Sequence, residues 1–342
     1  MNTVFVIATV VKVVAIFAIT VGLAAILSLT ERKVSAWIQY RYGPNRVGPW
    51  GLLQPLADGV KFLFKEEVMP AGAHPILFRL APAMAAAPAM LAIAVVPFSF
   101  AVEVEGQRIS LAICDLPIGL LYSLAIAGMG VYGILFGGWA SNNKYSLLGG
   151  LRNSAQVVSY ELAMVASLIT VMVLSGSMNL TEIYQAQAGL WNVFKFPVGT
   201  IAFVIFLIAA FAETNRQPFD LAECETELVG GFHTEYSSMK FARFFIGEYA
   251  AMVAMSGIMT TLFFGGPTLF GVENLVTNTW GRAGLGFVIF MAKVSCFLFF
   301  FQWVRWTLPR FRWDQLMHLG WKVLLPLGLL NVLLAGAWVC LR

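Results

Sequence analysis

Eight apolar runs, near residues 3–29, 79–101, 117–139, 155–175, 198–212, 244–265, 284–307 and 322–341, set the terms on which this chain can fold. A bilayer core ~30 Å thick takes about 20 apolar residues in a helix. All but the fifth run reach that length, and the fifth ends abruptly in the polar AETNRQPFD. Hydrocarbon offers no partner to a backbone N–H or C=O, so such runs predict helices and not open strands. The reading is therefore all-α: a polytopic integral membrane protein with about eight transmembrane helices, in one membrane domain over residues 1–342. Composition agrees, because 59% of the residues are hydrophobic and 12% charged, where a soluble domain carries roughly 25% charged residues. The first run is longer than the roughly 7–15 residues of a signal-peptide core. It continues to Leu29 with only Lys12 interrupting it, and is predicted to be a retained helix.

Basic residues give an orientation. Of the 22 lysines and arginines, sixteen fall in the segments 31–79, 140–154, 213–243 and 305–322, and four lie on the other side, at Arg108, Lys195, Arg282 and Arg342. The positive-inside rule then places the first set in the cytoplasm and both termini outside. The formal charge of +4 is too small and too scattered for nucleic acid. Cys114, Cys224, Cys296 and Cys340 form no C-x-x-C pair, and His74, His233 and His318 do not cluster. No metal site, and no cofactor bound by this chain alone, is predicted.

Two cytoplasmic segments, 31–78 and 213–243, are too patterned for connectors. In the first, Leu56, Val60, Leu63 and Phe64 recur at helical spacing opposite Asp58, Lys61 and Lys65, which predicts an amphipathic helix lying at the interface. RYGPNRVGPWG, just before it, holds two Gly-Pro pairs and reads as a shaped turn. Arginines among aromatic residues there fit anionic lipid, a soluble partner, or an opening for an amphiphile. The second segment gathers Glu213, Asp220, Glu223, Glu225, Glu227 and Glu235, six of the chain's eighteen acids within 23 residues, opposed only by Arg216. They alternate with Phe211, Phe219, Leu221, Leu228, Val229 and Phe232, a pattern expected of a loop folded into a cavity more than of a solvated face. Clustered carboxylates raise one another's pKa and so reach the range of proton exchange near neutrality. Glu161 and Glu248 lie inside apolar runs, where an ionisable group marks a proton or ion path unless it reaches the headgroups. Lys293 is left with two readings, pairing with a carboxylate or meeting a neighbouring subunit.

Three long stretches carry a resemblance: ERKVSAWIQYRYGPNRVGPWGLLQPLADGVKFLFKE, GGWASNNKYSLLGGLRNSAQVVSYELAM and AETNRQPFDLAECETELVGGFHTEYSSMKFARFFIGEY. With the later PRFRWDQLMHLGWKVLLPL, they resemble the family of H-type membrane subunits of NADH–quinone oxidoreductase (respiratory complex I), counterparts of mitochondrial NADH dehydrogenase subunit 1. The likeness covers essentially the whole chain. It implies a subunit at the junction of the membrane and hydrophilic arms, with quinone as substrate and with FMN and iron–sulfur clusters held by partner subunits. Hydrophilic quinone-site subunits, small and antiporter-like membrane subunits and membrane lipid would be its partners. High alanine content and the lack of a transit-peptide pattern favour a bacterial plasma (inner) membrane.

Carried over residue by residue, the resemblance places Glu31, Arg32, Trp37, Arg41, Arg46 and Asp58 at the quinone entrance and Phe232 in the chamber wall. It places Glu161, Glu213, Asp220, Glu223, Glu225, Glu227, Glu235 and Glu248 on an acidic path that couples quinone reduction to proton translocation. His233 receives no role. The rivals are a homologous membrane subunit of a ferredoxin-linked quinone reductase or an energy-converting hydrogenase and, in another class, a stand-alone cation–proton antiporter.

Overall fold

The computed structural model describes residues 3–104, 107–223, 225–276 and 278–341. In chain order the helices are α1 (Thr3–Ile38), α2 (Gln54–Phe64), α3 (Pro75–Ala92), α4 (Gly119–Gly128), α5 (Gly130–Ala140), α6 (Lys144–Ser175), α7 (Leu180–Gln185) and α8 (Val198–Glu213). They continue with α9 (Glu225–Leu228), α10 (Ser238–Phe263), α11 (Thr279–Thr307), α12 (Trp313–His318) and α13 (Leu325–Cys340). Among the described residues seven helical spans are long and apolar enough to cross a bilayer, with α4–α5 and α12–α13 each counted as one, and the shorter α8 joins them. Each of the eight apolar runs thus holds a helix, although the second leaves helix after Val95, so that 96–101 are not helical. A small antiparallel hairpin, β1 (Val102–Val104) with β2 (Gln107–Ile109), pairs Val102 with Ile109 and is the one addition to an otherwise helical fold among the described residues.

The first helix outruns its apolar stretch. No glycine or proline follows Leu29 until Gly43-Pro44, so α1 continues to Ile38 and carries Glu31, Arg32 and Trp37 with it. The 16-residue α8 is about 24 Å long, short of the ~30 Å core. Protein, not lipid, receives its end: the Gln156 amide of α6 donates to Ala212 O at 3.0 Å and to Phe219 O at 2.8 Å.

Lipid tails give helices no hydrophobic reason to associate, so contact depends on small residues that let backbones approach. The alanine-rich α3 is the centre of such contacts. A Cβ at Gly133 of α5 would stand 2.3 Å from Ala85 N, and one at Gly247 of α10 would stand 3.0 Å from Ala86 Cα. Helices α5 and α10 are thereby pressed against α3 from two sides. Deeper in, Ile205 and Phe206 of α8 pack in one buried cluster with Met259, Leu262 and Phe263 of α10.

Lys293, left between a carboxylate and a neighbouring subunit, is held by backbone carbonyls. Its ammonium donates to Phe264 O (2.7 Å), Gly266 O (2.9 Å) and Thr268 O (2.5 Å) and lies 4.3 Å above the Trp191 ring, tying down the turn after α10. Lys12 acts alike, donating to Ser110 O at 3.2 Å and Ala112 O at 3.0 Å.

Candidate functional site: a buried chain of charged residues

The segment after α8 turns inward at once. Asn215 sits at φ 50°, Arg216 N donates back to Phe211 O at 3.2 Å, and the Arg216 side chain is left only 4% exposed. A buried guanidinium must be paired, and this one has two carboxylates. It stands 3.3 Å from Glu31 Oε2 of α1 and 3.5 Å from Glu248 Oε2 of α10, with its Cζ 4.6 Å over the Tyr249 ring. The Tyr249 hydroxyl donates to the same Glu31 oxygen at 2.9 Å, and Arg305 of α11 pairs with Glu31 Oε1. Three helices and a loop therefore meet on one carboxylate.

Beyond Glu248 the chain continues in the loop. Glu223 is hydrogen-bonded to Glu248, and two carboxyls joined in this way must share a proton. On its other side, Glu223 Oε1 lies 3.3 Å from His233 Nε2. Burial pushes the Glu223 carboxyl up, but hydrogen bonds with His233 and Glu248 and the charges of His233 and Arg216 outweigh it, holding the group below the usual carboxylate range. Asp220 goes the opposite way. Burial and the charge of Glu223 raise it to about 7 despite Arg310 and Arg305, and although Arg310 lies 3.0 Å from its Oδ2. Arg216 is raised by Glu31 and Glu248, which overcome burial.

On the membrane side of Glu248 lies a cavity of ≈ 70 Å³, lined by alanines of α3 and α10 and by Glu213, Asn215, Phe232 and Glu248. Glu213 Oε2, Asn215 Oδ1 and Glu248 Oε1 are buried there without a hydrogen-bond partner in the protein. One water needs about 10–15 Å³ by this measure and two or more polar contacts, so the cavity has the volume and the oxygens to hold several. Glu213 also interacts electrostatically with Glu161 of α6. Glu161 reaches so far toward α4 that a Cβ on Gly128 would stand 2.8 Å from its Oε1. The order in space is Glu161, Glu213, cavity, Glu248, Glu223, His233, with Arg216 leading off to Glu31.

The comparisons with known proteins agree along the whole chain. A family model described as NADH dehydrogenase matches residues 11–336. This chain belongs to the family of H-type membrane subunits of NADH–quinone oxidoreductase. It is 49% identical to the NADH-quinone oxidoreductase H-type subunit of Flavobacterium psychrophilum, over all of this chain and 99% of that protein. The second H-type subunit of Geobacter sulfurreducens is 53% identical across 96% of this chain and 95% of its own length. The first H-type subunit of Cytophaga hutchinsonii is 48% identical across 96% of each. The chain is thus a multi-pass membrane subunit of a translocating complex, whose partners include other complex I subunits.

Seen as a membrane subunit of complex I, the chain does not hold its expected site residues together in one place. Glu161, Glu213, Asp220, Glu223 and Glu248 join the buried chain, as does Glu31, expected at the entrance. Glu227 instead pairs with Arg152 at 2.6 Å near the surface, and Glu235 accepts from the Asn143 amide at 2.6 Å. The Glu225 side chain lies outside the described residues. Phe232 is 1% exposed, stacked edge-on against Phe244 while lining the cavity.

Arg32, Trp37, Arg41, Arg46 and Asp58 fall on a separate ledge. Arg32 pairs with Asp58 at 2.8 Å and so fastens α1 to α2; Gln54 supports Asp58 at 3.1 Å. Arg41 and Arg46 are exposed. Trp37, Tyr40, Trp50, Leu56 and Phe64 are 68%, 100%, 81%, 67% and 87% exposed, giving the ledge a broad apolar face. Arg305, Arg310, Tyr249, His233 and Arg216, the last noted only as the one basic residue opposing the acidic run, were not among the expected site residues. Only the placing of basic residues beside an acidic loop hinted at the first two.

Proposed function

We propose that this subunit admits a quinone along the α1–α2 ledge, forms its chamber together with hydrophilic subunits, and passes the effect of quinone reduction into the buried acids as proton movement. The observation that supports this most is the place of Arg216 between Glu31 and Glu248, at 3.3 and 3.5 Å. Glu31 faces inward to Arg216, while its neighbour Arg32 faces the ledge and holds α2. A displacement or a new charge on the ledge therefore reaches Arg216 through two adjacent residues.

Arg216 is nearly equidistant from its two carboxylates, so a small movement trades one attraction for the other. A charge pair ~4 Å apart at an effective dielectric near 20 is worth about 4 kcal/mol. That is enough to decide whether the Glu223–Glu248 pair keeps its proton. A proton released there has the cavity, Glu213 and Glu161 in sequence before it. The basic face, with α2, is read as cytoplasmic on the distribution of sixteen basic residues against four.

Replacing Arg216 tests the reading. Breaking one side of a buried pair costs about 3–5 kcal/mol, so Arg216→Lys, which keeps the charge but cannot bridge both carboxylates, accompanies Arg216→Gln. In assembled complexes both should lose NADH–quinone turnover and proton uptake into vesicles, while NADH oxidation by a hydrophilic acceptor persists. Wild-type pumping by either variant would sink the proposal. Mass spectrometry of chains that copurify under gentle conditions separates an NADH-fed complex from a ferredoxin-linked one or a chain that works alone.

A further inference from the structure

We infer that His233 is the residue through which the basic face returns protons to the Glu223–Glu248 pair after each turnover. The inference rests on the acidic path proposed above and adds to it the group that refills it.

The backbone puts the imidazole there. Gly231 opens a 3-10 turn at φ +60°, and a Cβ on it would lie 1.7 Å from Ala222 O, so only glycine lets the chain fold back over the Ala222–Glu223 backbone. His233, two residues on, then faces Glu223. Its Nε2 and Glu223 Oε1 are 3.3 Å apart, both are buried, and neither has a hydrogen-bond partner elsewhere among the described residues. A hydrogen has to stand between them for either atom to be satisfied. The ring is held edge-on by Phe232 and Phe241, with centroids 5.0 and 5.2 Å away, and tilted against Phe245 at 6.0 Å. Aromatic faces thus surround the imidazole. The His233 side chain still keeps 13% of its surface exposed, which leaves it reachable from outside the buried pair.

The other charged groups near this turn are occupied or face away. On its own segment, Glu235 is bound to Asn143 and Glu227 to Arg152 of α6; Lys144, at the start of α6, is exposed. On α10, Lys240 pairs with Glu67, Arg243 is exposed, and Glu248 is the pair's second member. Helix α5 contributes no charged residue. Arg216 and Asp220 act on Glu223. His233 is therefore the side chain touching the pair whose ring nitrogen can both carry and give up a proton. In the step, the Nε2–H bond breaks, the proton enters the pair at Glu223 Oε1 and comes to rest between Glu223 and Glu248, and the imidazolium becomes neutral imidazole. Water on the basic face restores the ring proton, and no other reactant is needed.

The test uses the assembled complex with His233→Gln, polar but not titrating, and His233→Phe, which preserves the ring packing. NADH–quinone turnover is followed across neutrality, from about pH 6 to about pH 8.5, with and without added imidazole. Both variants should run near the wild-type rate at the acid end, fall several-fold behind it at the alkaline end, and recover with imidazole. A profile parallel to wild type, or a uniform loss that imidazole does not relieve, overturns the inference. Should the glutamine variant fail to assemble, the phenylalanine variant decides. Glu248→Gln separates the two levels: if it pumps normally the path itself is wrong. If it stalls while both His233 variants keep the wild-type profile, the role of His233 alone is wrong.

Discussion

Tyr249 binds Glu31 across the α10–α1 contact, its hydroxyl donating over 2.9 Å to the carboxylate oxygen that Arg216 also reaches. The same tyrosine offers its ring to the Arg216 guanidinium at 4.6 Å, so it fixes both partners of the ion pair at once. Tyr249→Phe keeps the ring and deletes the hydrogen bond. Such a bond to a charged acceptor contributes about 1.5–3 kcal/mol. With Arg305 and Arg216 still on Glu31, the complex should assemble and oxidise NADH with a hydrophilic acceptor normally. Its quinone turnover should drop several-fold. An unchanged turnover would mean that the orientation of Glu31 is irrelevant to coupling.

The two kinds of acid should separate sharply on substitution. Glu161→Gln removes a proton acceptor at the far end of the buried order while nearly preserving shape, and should abolish most proton uptake in vesicles. Glu227→Gln loses a half-exposed pair with Arg152, an interaction of the class worth about 0–1 kcal/mol, and should pump almost as wild type. Equal behaviour of the two variants would count against the spatial order described above.

Asp220 gives a pH dependence with a definite sign. Its carboxyl is raised to about 7 from an ordinary 3.8, so between those values the folded chain holds a proton that the unfolded chain has released. The folded state binds more protons there, and stability falls as pH rises through that window. The contribution is fully lost above about pH 7, and its size is a few kcal/mol at most. Heat inactivation of the detergent-solubilised complex from about pH 5 to 8 should therefore steepen with pH in wild type and be flatter in Asp220→Asn. Matching slopes would show that Asp220 does not titrate in this range.

On the ledge, Arg46 is exposed and free of the buried chain of charges. Arg46→Ala should lower NADH–quinone activity, chiefly by raising the apparent KM for quinone, and leave NADH oxidation by a hydrophilic acceptor intact. A joint fall of both activities in a fully assembled complex would remove Arg46 from the quinone's route.

The spans, the amphipathic α2 and the acidic segment are all legible in the sequence, because hydrocarbon imposes rules that act locally. About twenty apolar residues make a span, and a charge within one has to be accounted for. Hydropathy ends α1 too early for an equally local reason: polarity rises at Glu31, while the helix runs on to Ile38 and turns only at Tyr40, φ 52°, shortly before Gly43-Pro44. What the tertiary structure alone decided is which charges meet. Glu31 sits beside Arg32 in the chain, yet the turn of the helix sends one to Arg216 and the other to Asp58. Arg305 reaches Glu31 across 274 positions. Glu227 and Glu235 share a segment with Glu223 but are drawn away by Arg152 and Asn143. Such pairings depend on how closely α3, α5 and α10 pack and on a backbone geometry at 231 that only glycine permits. No spacing along the chain encodes them, since each is set by residues that come together only after the helices have docked.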